Sequence, residues 1–376
     1  MPDEGKPGDV RPGNVEVRDV KPRDGDSGDE EPGDVKPGDV KTMADLARLA
    51  GVSTSTVSRA LNHHEAIPPE TRERILRLAE RHRYRIDVRA RNLRRGTTRT
   101  VAAVFPKSAG SGRRMSDPFY LEVLGGISDE LAQHGYDLLI SQAGDGGGSY
   151  ARYVHERRAD GLLVLERDTG GAGIRELQRA GVPFVVWGPM LPEQDYLSVG
   201  GDSLTGARLA AEHLLAAGRR QVAFVGGEPA MIETTLRLQG FRQALHEAGV
   251  DLPDHRIAFT DYTPQQAQAA VEAFLRQTEP VDAIFLCSDY MAVTALETLQ
   301  RRGRAVPGDV ALVGYDDVPL AQHATPQLTT VRQEIHEGGK RMARKLVDVL
   351  AGGSPTAEML PVELVARGST PPISGA

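Results

Sequence analysis

The 376 residues contain a single cysteine, Cys287. One thiol excludes an intramolecular disulfide and fits a reducing compartment. Ile284, Phe285 and Leu286 precede it, so the residue reads as a buried strand cysteine and not a nucleophile. No apolar run approaches the ~20 residues of a membrane span. The acidic, Pro- and Gly-rich N-terminus lacks the apolar core of a signal peptide. A cytoplasmic protein without a membrane partner is expected. Catalytic signatures are missing as well: there is no Walker loop, no Gly-x-Ser-x-Gly elbow and no His-Glu-x-x-His. The first apolar strand is not followed by Gly-x-Gly-x-x-Gly, which disfavours a dinucleotide enzyme. His63 and His64 have no cysteine or spaced carboxylates near them, so no metal is expected there. The C-terminus carries no heptad repeat, which points to homodimers without an added coiled coil.

Charge is distributed unevenly. The whole chain has a formal charge of −7. Between Thr42 and Thr100 there are thirteen arginines, no lysine and six acids, a local charge of +7 that leaves −14 for the remainder. A basic module on an acidic body is the arrangement that phosphates would select, because they respond to local charge. Residues 1–41 repeat Pro-Gly-Asp-Val at 32–35 and 37–40 and have no apolar face. They read as a disordered tail.

The basic module opens on Thr42 to Asn62, which reads as two short helices around a tight turn. Thr42 and Asp45 have capping-box spacing. Leu46, Leu49 and Ala50 form an apolar face, and Gly51 ends the helix. Ser53 is placed to cap the next helix, which turns Val57 and Leu61 inward. Thr54, Ser55, Thr56, Ser58 and Arg59 remain outside. Short hydrogen-bonding side chains beside one guanidinium suit a DNA major groove. The bland alternative is a solvated helical hairpin, but small Ala47, turning Gly51 and plugging Val57 fit a close helix crossing. A third helix starts at Pro69, with Ile75, Leu78, Ala79 and Tyr84 closing a small core.

From Arg99 the pattern alternates strands and helices. Strands are expected at 101–105, 136–141, 159–165, 182–187, 221–225, 283–286 and 310–313. Helices are expected at 119–134, 206–217, 236–248 and 289–302. Such alternation implies parallel sheets covered by helices. Over roughly 270 residues it makes two α/β lobes, with a ligand cleft at the strand ends.

These features together resemble the lactose-repressor (LacI/GalR) family of bacterial transcription regulators. The likeness rests on Ala47, Ala50-Gly-Val-Ser53, Thr56-Val-Ser-Arg59 and Asn62, then Asp117-Pro-Phe-Tyr120, Ala159-Asp-Gly161, Arg237 with Gly240-Phe241, Ser288-Asp289, Val313-Gly-Tyr-Asp-Asp317 and Leu328-Thr-Thr330. It covers residues 42 to about 370. It implies a helix-turn-helix domain at 42–86, a hinge helix or linker at 87–98, a two-lobed periplasmic-binding-protein-like effector and dimerisation domain at 99–370, and a tail at 371–376.

The resemblance further implies that double-stranded operator DNA meets Thr54, Ser55, Thr56, Ser58, Arg59, Asn62 and Tyr84, with Ala90, Arg91 and Leu93 from the hinge. Leu93 stands where the family wedges a base step. Ile86 and Asp87 depart from the family's Pro-Asn at that hinge, and Pro68 replaces a Ser or Thr cap. A small-molecule effector, expected to be a carbohydrate and not a cofactor, would be held by Arg237, Ser288, Asp289 and Asp316 between the aromatic candidates Phe119, Tyr120 and Tyr262. Ser288 replaces the more usual Asn. The expected protein is a ligand-controlled repressor. Its rivals are a sugar-binding transport protein, which would need an export signal and no basic module, and a dehydrogenase-like enzyme, which a heat shift with nicotinamide cofactor would expose.

Overall fold

Thr42 starts the first helix by the reciprocal bonding its spacing predicts. Its Oγ1 accepts from the Asp45 N–H at 3.1 Å, and its own N–H donates to Asp45 Oδ2 at 3.0 Å. The Thr42 hydroxyl, donating to Asp45 Oδ2 at 2.7 Å, and then the Thr42 N–H hold the Asp45 carboxyl below its ordinary pKa range. In the computed structural model, residues 40–61, 66–84, 96–105, 114–142, 149–165 and 171–372 are described. The expected contacts of Asn62, Ala90, Arg91 and Leu93 lie outside them, as do the loop histidines and tail residues 1–39. The chain divides into two compact units, Met1–Val88 and Arg89–Ala376.

Helices α1 (Met43–Leu49), α2 (Thr54–Leu61) and α3 (Pro69–Arg81) make the first unit. Gly51 turns between α1 and α2 at φ +60°, a conformation that strains any residue with a Cβ. Ser53 Oγ accepts from the Thr56 N–H at 3.2 Å. Leu46, Val57, Ala60 and Ile75 are fully buried, with Ala47, Ala50 and Ala79 beside them and Leu49, Leu61, Leu78 and Tyr84 packed at the edge. Val40 is buried in the same core, so the packed module begins before the tail boundary expected at 41. Helix α3 begins at Pro69 with no side-chain cap from Pro68.

The second unit holds two six-stranded sheets. The first orders its strands β11-β5-β4-β3-β1-β2 and is wholly parallel: β1 (Thr100–Phe105), β2 (Asp137–Gln142), β3 (Gly161–Val164), β4 (Phe184–Trp187), β5 (Ser198–Gly201) and β11 (Glu358–Leu360). The second orders β12-β10-β9-β8-β6-β7, with β6 (Val222–Gly226), β7 (Ile257–Phe259), β8 (Ala283–Leu286), β9 (Ala311–Asp316), β10 (Thr329–Gln333) and β12 (Val362–Val365). It is parallel except that β12 runs against β10. The first lobe carries α4 (Pro118–Gln133), α5 (Arg152–His155), α6 (Ala172–Ala180) and α12 (Ile335–Leu350). The second carries α7 (Ser203–Ala216), α8 (Ile232–Glu247), α9 (Pro264–Leu275), α10 (Asp289–Arg301) and α11 (Pro319–His323).

The chain crosses between lobes three times: after Gly201, after Gln333 and after Leu360. These crossings pack together, because a Cβ on Gly201 would come within 2.9 Å of Gln333 Oε1 and 3.1 Å of Val362. Helix α12 therefore belongs to the first lobe although the chain reaches it from the second. It shares a core with α4, where Ile335, Met342, Ala343 and Leu346 meet Val123, Ile127 and Leu131. The second lobe is centred on an aromatic cluster of Phe224, Phe241, Phe285 and Tyr315 with ring centroids 5.0–6.3 Å apart. Each such ring contributes about 1.5–3 kcal/mol by leaving water.

Candidate functional site

Arg237 is the anchor of the cleft. Helix α8 carries it, and only 5% of its surface is exposed. The guanidinium lies 3.6 Å from the centroid of the Tyr315 ring, and Nη1 donates to the Cys287 carbonyl at 2.7 Å. Stacking and a charge-assisted bond compensate the burial of this cation. Burial pushes the Cys287 thiol up to about 12, so it is the inert, buried cysteine that the sequence suggests.

Asp316 ends β9 beside Tyr315. It adopts φ +115°, and Asp317 follows at +56°. Two successive non-glycine residues in this region cost about 1–3 kcal/mol each and need surrounding structure to hold them. Asp317 supplies that hold: it accepts from Arg332 Nε at 2.7 Å and from Arg367 Nη2 at 2.6 Å, and its side chain is 2% exposed. The strained turn aims the Asp316 carboxylate at the cleft, where Gln333 Nε2 donates to it at 2.6 Å. Asp316 is thus tied to one of the three interlobe crossings.

The cavity is lined from the first lobe by Phe119, Leu165 and Trp187, and from the second by Met231, Glu233, Arg237, Tyr262 and Asp316. Its volume is about 30 Å³. Phe119 enters in the first turn of α4, whose cap is Asp117, accepting from the Phe119 N–H at 2.9 Å. It meets Trp187, at the end of β4, edge-on at 5.4 Å. Tyr262 is also left-handed, at φ +63°, with its hydroxyl 3.2 Å from Thr234 Oγ1. Tyr262 is shared with an adjoining cavity of about 340 Å³ that also involves Arg114, Asp117, Thr263 and Tyr290. Only the larger of the two reaches the roughly 300–1,000 Å³ usual for small-molecule pockets.

Four of the seven effector candidates thus come together: Phe119, Arg237, Tyr262 and Asp316. The other three sit in the packing around the cavity. Tyr120 is buried edge-on against Phe105 at 4.8 Å. Ser288 caps α10, its Oγ accepting from the Met291 N–H at 3.2 Å. Asp289 is fully buried and accepts from Thr330 Oγ1 at 2.5 Å and the Val318 N–H at 2.9 Å. Burial pushes its pKa well above the ordinary value. Their motif positions reflect structural duties beside the cleft. Glu233 and Trp187 escaped the sequence reading, though Glu233 lies one helical turn before Arg237 and Trp187 closes an apolar strand.

In the first unit, α2 leaves Thr54, Ser55 and Arg59 exposed and Thr56 and Ser58 half-buried. The Thr56 hydroxyl lies 2.9 Å from Ser53 Oγ, so it is drawn into the cap. Tyr84 packs against the three-helix core. Among the described residues no cluster of His, Cys, Asp and Glu could hold a metal. No helix among them is long and apolar enough to cross a membrane.

Residues 42–87 match the lacI family of bacterial regulatory proteins, and residues 211–370 match the periplasmic binding protein-like domain. The HTH-type transcriptional regulator CelR of Thermobifida fusca is 35% identical over 335 residues, 87% of this chain and 98% of that protein. The chain belongs to the LacI family. The HTH-type transcriptional repressor CytR of Escherichia coli K12 is 33% identical, covering 88% of this LacI-family chain and 96% of the relative. Among solved structures, a CelR–cellobiose complex aligns with a TM-score of 0.66 at 34% identity, over 87% of this chain and 99% of that one. The lac repressor dimer bound to operator and an anti-inducer shares the fold, with a TM-score of 0.78 at 23% identity over 88% and 98% of the two chains. This LacI-family protein is a DNA-binding transcription regulator.

Proposed function

We propose that this regulator represses transcription as a cytoplasmic homodimer on double-stranded operator DNA, and that a small carbohydrate between the lobes sets its grip. The observation that carries the effector half is the meeting of Arg237 and Asp316 with Phe119, Trp187 and Tyr262 around the small cavity that adjoins, at Tyr262, the larger one of about 340 Å³. A guanidinium and a carboxylate bond paired hydroxyls, while aromatic faces cover the apolar side of a sugar ring. The named relative in a cellobiose complex supports this ligand class. On the DNA side, Thr54, Ser55 and Arg59 read the major groove, helped by Thr56, Ser58, Asn62 and Tyr84, and Ala90, Arg91 and Leu93 enter the minor groove. Because effector and operator favour different lobe arrangements, each changes the other's affinity by the same factor.

The test is a thermal-shift screen against sugars and purines, repeated with candidate operator DNA. A sugar should raise the melting temperature of the wild type, and operator should change its apparent affinity. Arg59→Ala should keep that sugar response and lose about 1–3 kcal/mol of specific DNA affinity. Unchanged operator affinity in a folded Arg59→Ala protein removes Arg59 from the base-reading set.

A further inference from the structure

We propose that Asp160 is the positioning residue through which a movement of the first lobe reaches the segment leading to the DNA-binding helices. The proposal rests on the reading of the protein as an effector-controlled repressor. Asp160 stands immediately before β3, and its side chain takes four hydrogen bonds from the three residues Thr97, Thr98 and Arg99, which precede β1. Oδ1 accepts from the Thr98 N–H at 2.6 Å and the Thr98 hydroxyl at 2.9 Å. Oδ2 accepts from the Arg99 N–H at 2.9 Å and from the Thr97 hydroxyl. Each oxygen thus receives one backbone N–H, a donor that cannot reverse its role. The Asp160 N–H in turn donates to the Thr100 carbonyl at 2.7 Å.

The same short segment is stitched to β2, the other neighbour of β1. The Arg99 carbonyl accepts from the Asp137 N–H at 2.8 Å, and Arg99 Nη1 donates to the His134 carbonyl at 3.3 Å. The Arg99 guanidinium lies 5.0 Å from the centroid of the Tyr136 ring. Arg99 is itself left-handed at φ +54°, a conformation that persists in a side-chain-bearing residue only where its surroundings hold it. Thr97 to Arg99 is therefore clasped to the amino end of the first lobe's sheet. The cavity lies at the other end of the same strands. Asp160 and Leu165 bracket β3, whose four residues are all buried, and Leu165 lines the small cavity. At about 3.3 Å per residue, β3 is a strut of roughly 17 Å between the clasp and the cavity wall. It is hydrogen-bonded on both sides, to β1 and β4. A packed strand of this kind carries a displacement from one end to the other. When the first lobe moves on a ligand, the clasp moves with it, and so does the point at which the chain leads back toward Tyr84.

The experiment uses the full chain, an operator duplex selected by the wild type from a random-sequence library, and cellobiose, glucose and ribose as sugar probes. Operator affinity is measured with and without each sugar for wild type, Asp160→Asn, Thr97→Val and Thr97→Ser, with circular dichroism to verify folding. Asp160→Asn keeps one acceptor but turns an amide toward a backbone N–H. The sugar-induced change in operator affinity, of the order of 5–150-fold in coupled systems, should fall to about twofold or less in Asp160→Asn. Sugar affinity without DNA should stay within about twofold of wild type, because the cavity is untouched. Thr97→Val should show an intermediate loss, and Thr97→Ser, which keeps the hydroxyl, should respond like wild type. Hydrogen exchange supplies a readout that needs no sugar: operator should slow exchange of the Thr98 and Arg99 amides in the wild type and leave it unchanged in Asp160→Asn. A purely structural brace would speed exchange with and without operator and lower the melting temperature, yet keep the sugar response. An Asp160→Asn protein with the wild-type response overturns the proposal, as does a Thr97→Ser protein as impaired as Thr97→Val. Should no sugar alter the operator affinity of the wild type, the sugar reading of the effector fails, and the exchange result alone decides for or against the clasp.

Discussion

The first lobe offers the cleft Phe119, Leu165 and Trp187, none of which carries a charge. The second offers Glu233, Arg237 and Asp316, with Tyr262 and Met231 between them. The charged wall is fixed by buried and part-buried bonds behind it: Arg237 to the Cys287 carbonyl, Asp317 to Arg332 and Arg367, and Asp316 to Gln333. The apolar wall is held by ring contacts such as Phe119 on Trp187. Directional bonds need atoms fixed within tenths of an ångström, whereas an apolar face tolerates a ligand approaching at many angles. Under the proposed reading of the cleft, the second lobe would orient the effector and the first would cover it. A ligand can be oriented on the charged wall before the apolar wall covers it.

Asp316→Ala strikes the charged wall and should have the largest effect. It removes a buried acceptor and leaves the Gln333 amide facing a hole, a loss on the order of 3–5 kcal/mol for a broken buried charge interaction. Calorimetry with a sugar that binds the wild type should show affinity down by a hundredfold or more, with operator binding in the absence of sugar retained. Trp187→Ala strikes the apolar wall. It removes an aromatic face and its edge contact with Phe119, so affinity should fall by about ten- to thirtyfold, corresponding to about 1–2 kcal/mol. If Trp187→Ala proves more damaging than Asp316→Ala, the division of labour between the walls is reversed. Tyr262→Phe is the finest probe, because Tyr262 is an aromatic ring on the charged wall. It keeps the ring and loses the hydroxyl near Thr234, so the melting temperature should drop slightly, by the equivalent of about 0.5–1.5 kcal/mol, with affinity changed only a few-fold. A loss matching that of Asp316→Ala would make the hydroxyl, and not the ring, the part that matters.

The sequence carried the helix-turn-helix almost whole, because capping, turning and apolar spacing there involve residues within a few positions of one another. Thr42, Gly51, Ser53 and Val57 do in the structure what their spacing implies. The strand at Ala283–Leu286 is found within its expected bounds. The helices at Ala172–Ala180, Pro264–Leu275 and Ile335–Leu350 went unread, as did strands whose identity depends on distant partners. Ser198–Gly201 has little strand character of its own and is recruited between β4 and β11. Val362–Val365 becomes a strand by pairing against β10. The site divides in the same way. Arg237 and Asp316 lie in motifs that name them, but so do Ser288 and Asp289, which in the structure cap a helix and accept from Thr330 and Val318. Sequence adjacency cannot separate a residue that faces the cavity from a neighbour that braces it. Trp187 could have been found as a large aromatic at the carboxyl end of a buried parallel strand, the place where such sheets hold ligands.

The three crossings give the protein an order of completion during synthesis. The DNA-binding module has all its described core residues once Tyr84 has been made. The first lobe begins soon afterwards, at Thr100, yet its core waits for Ile335, Met342, Ala343 and Leu346 to cover Val123, Ile127 and Leu131. Domains made early fold early. A nascent or prematurely terminated chain that stops before Ile335 therefore has its three helices but leaves the α4 face bare to water and to chaperones. Termination late in the message removes the ability to answer an effector before it removes the helices that face DNA.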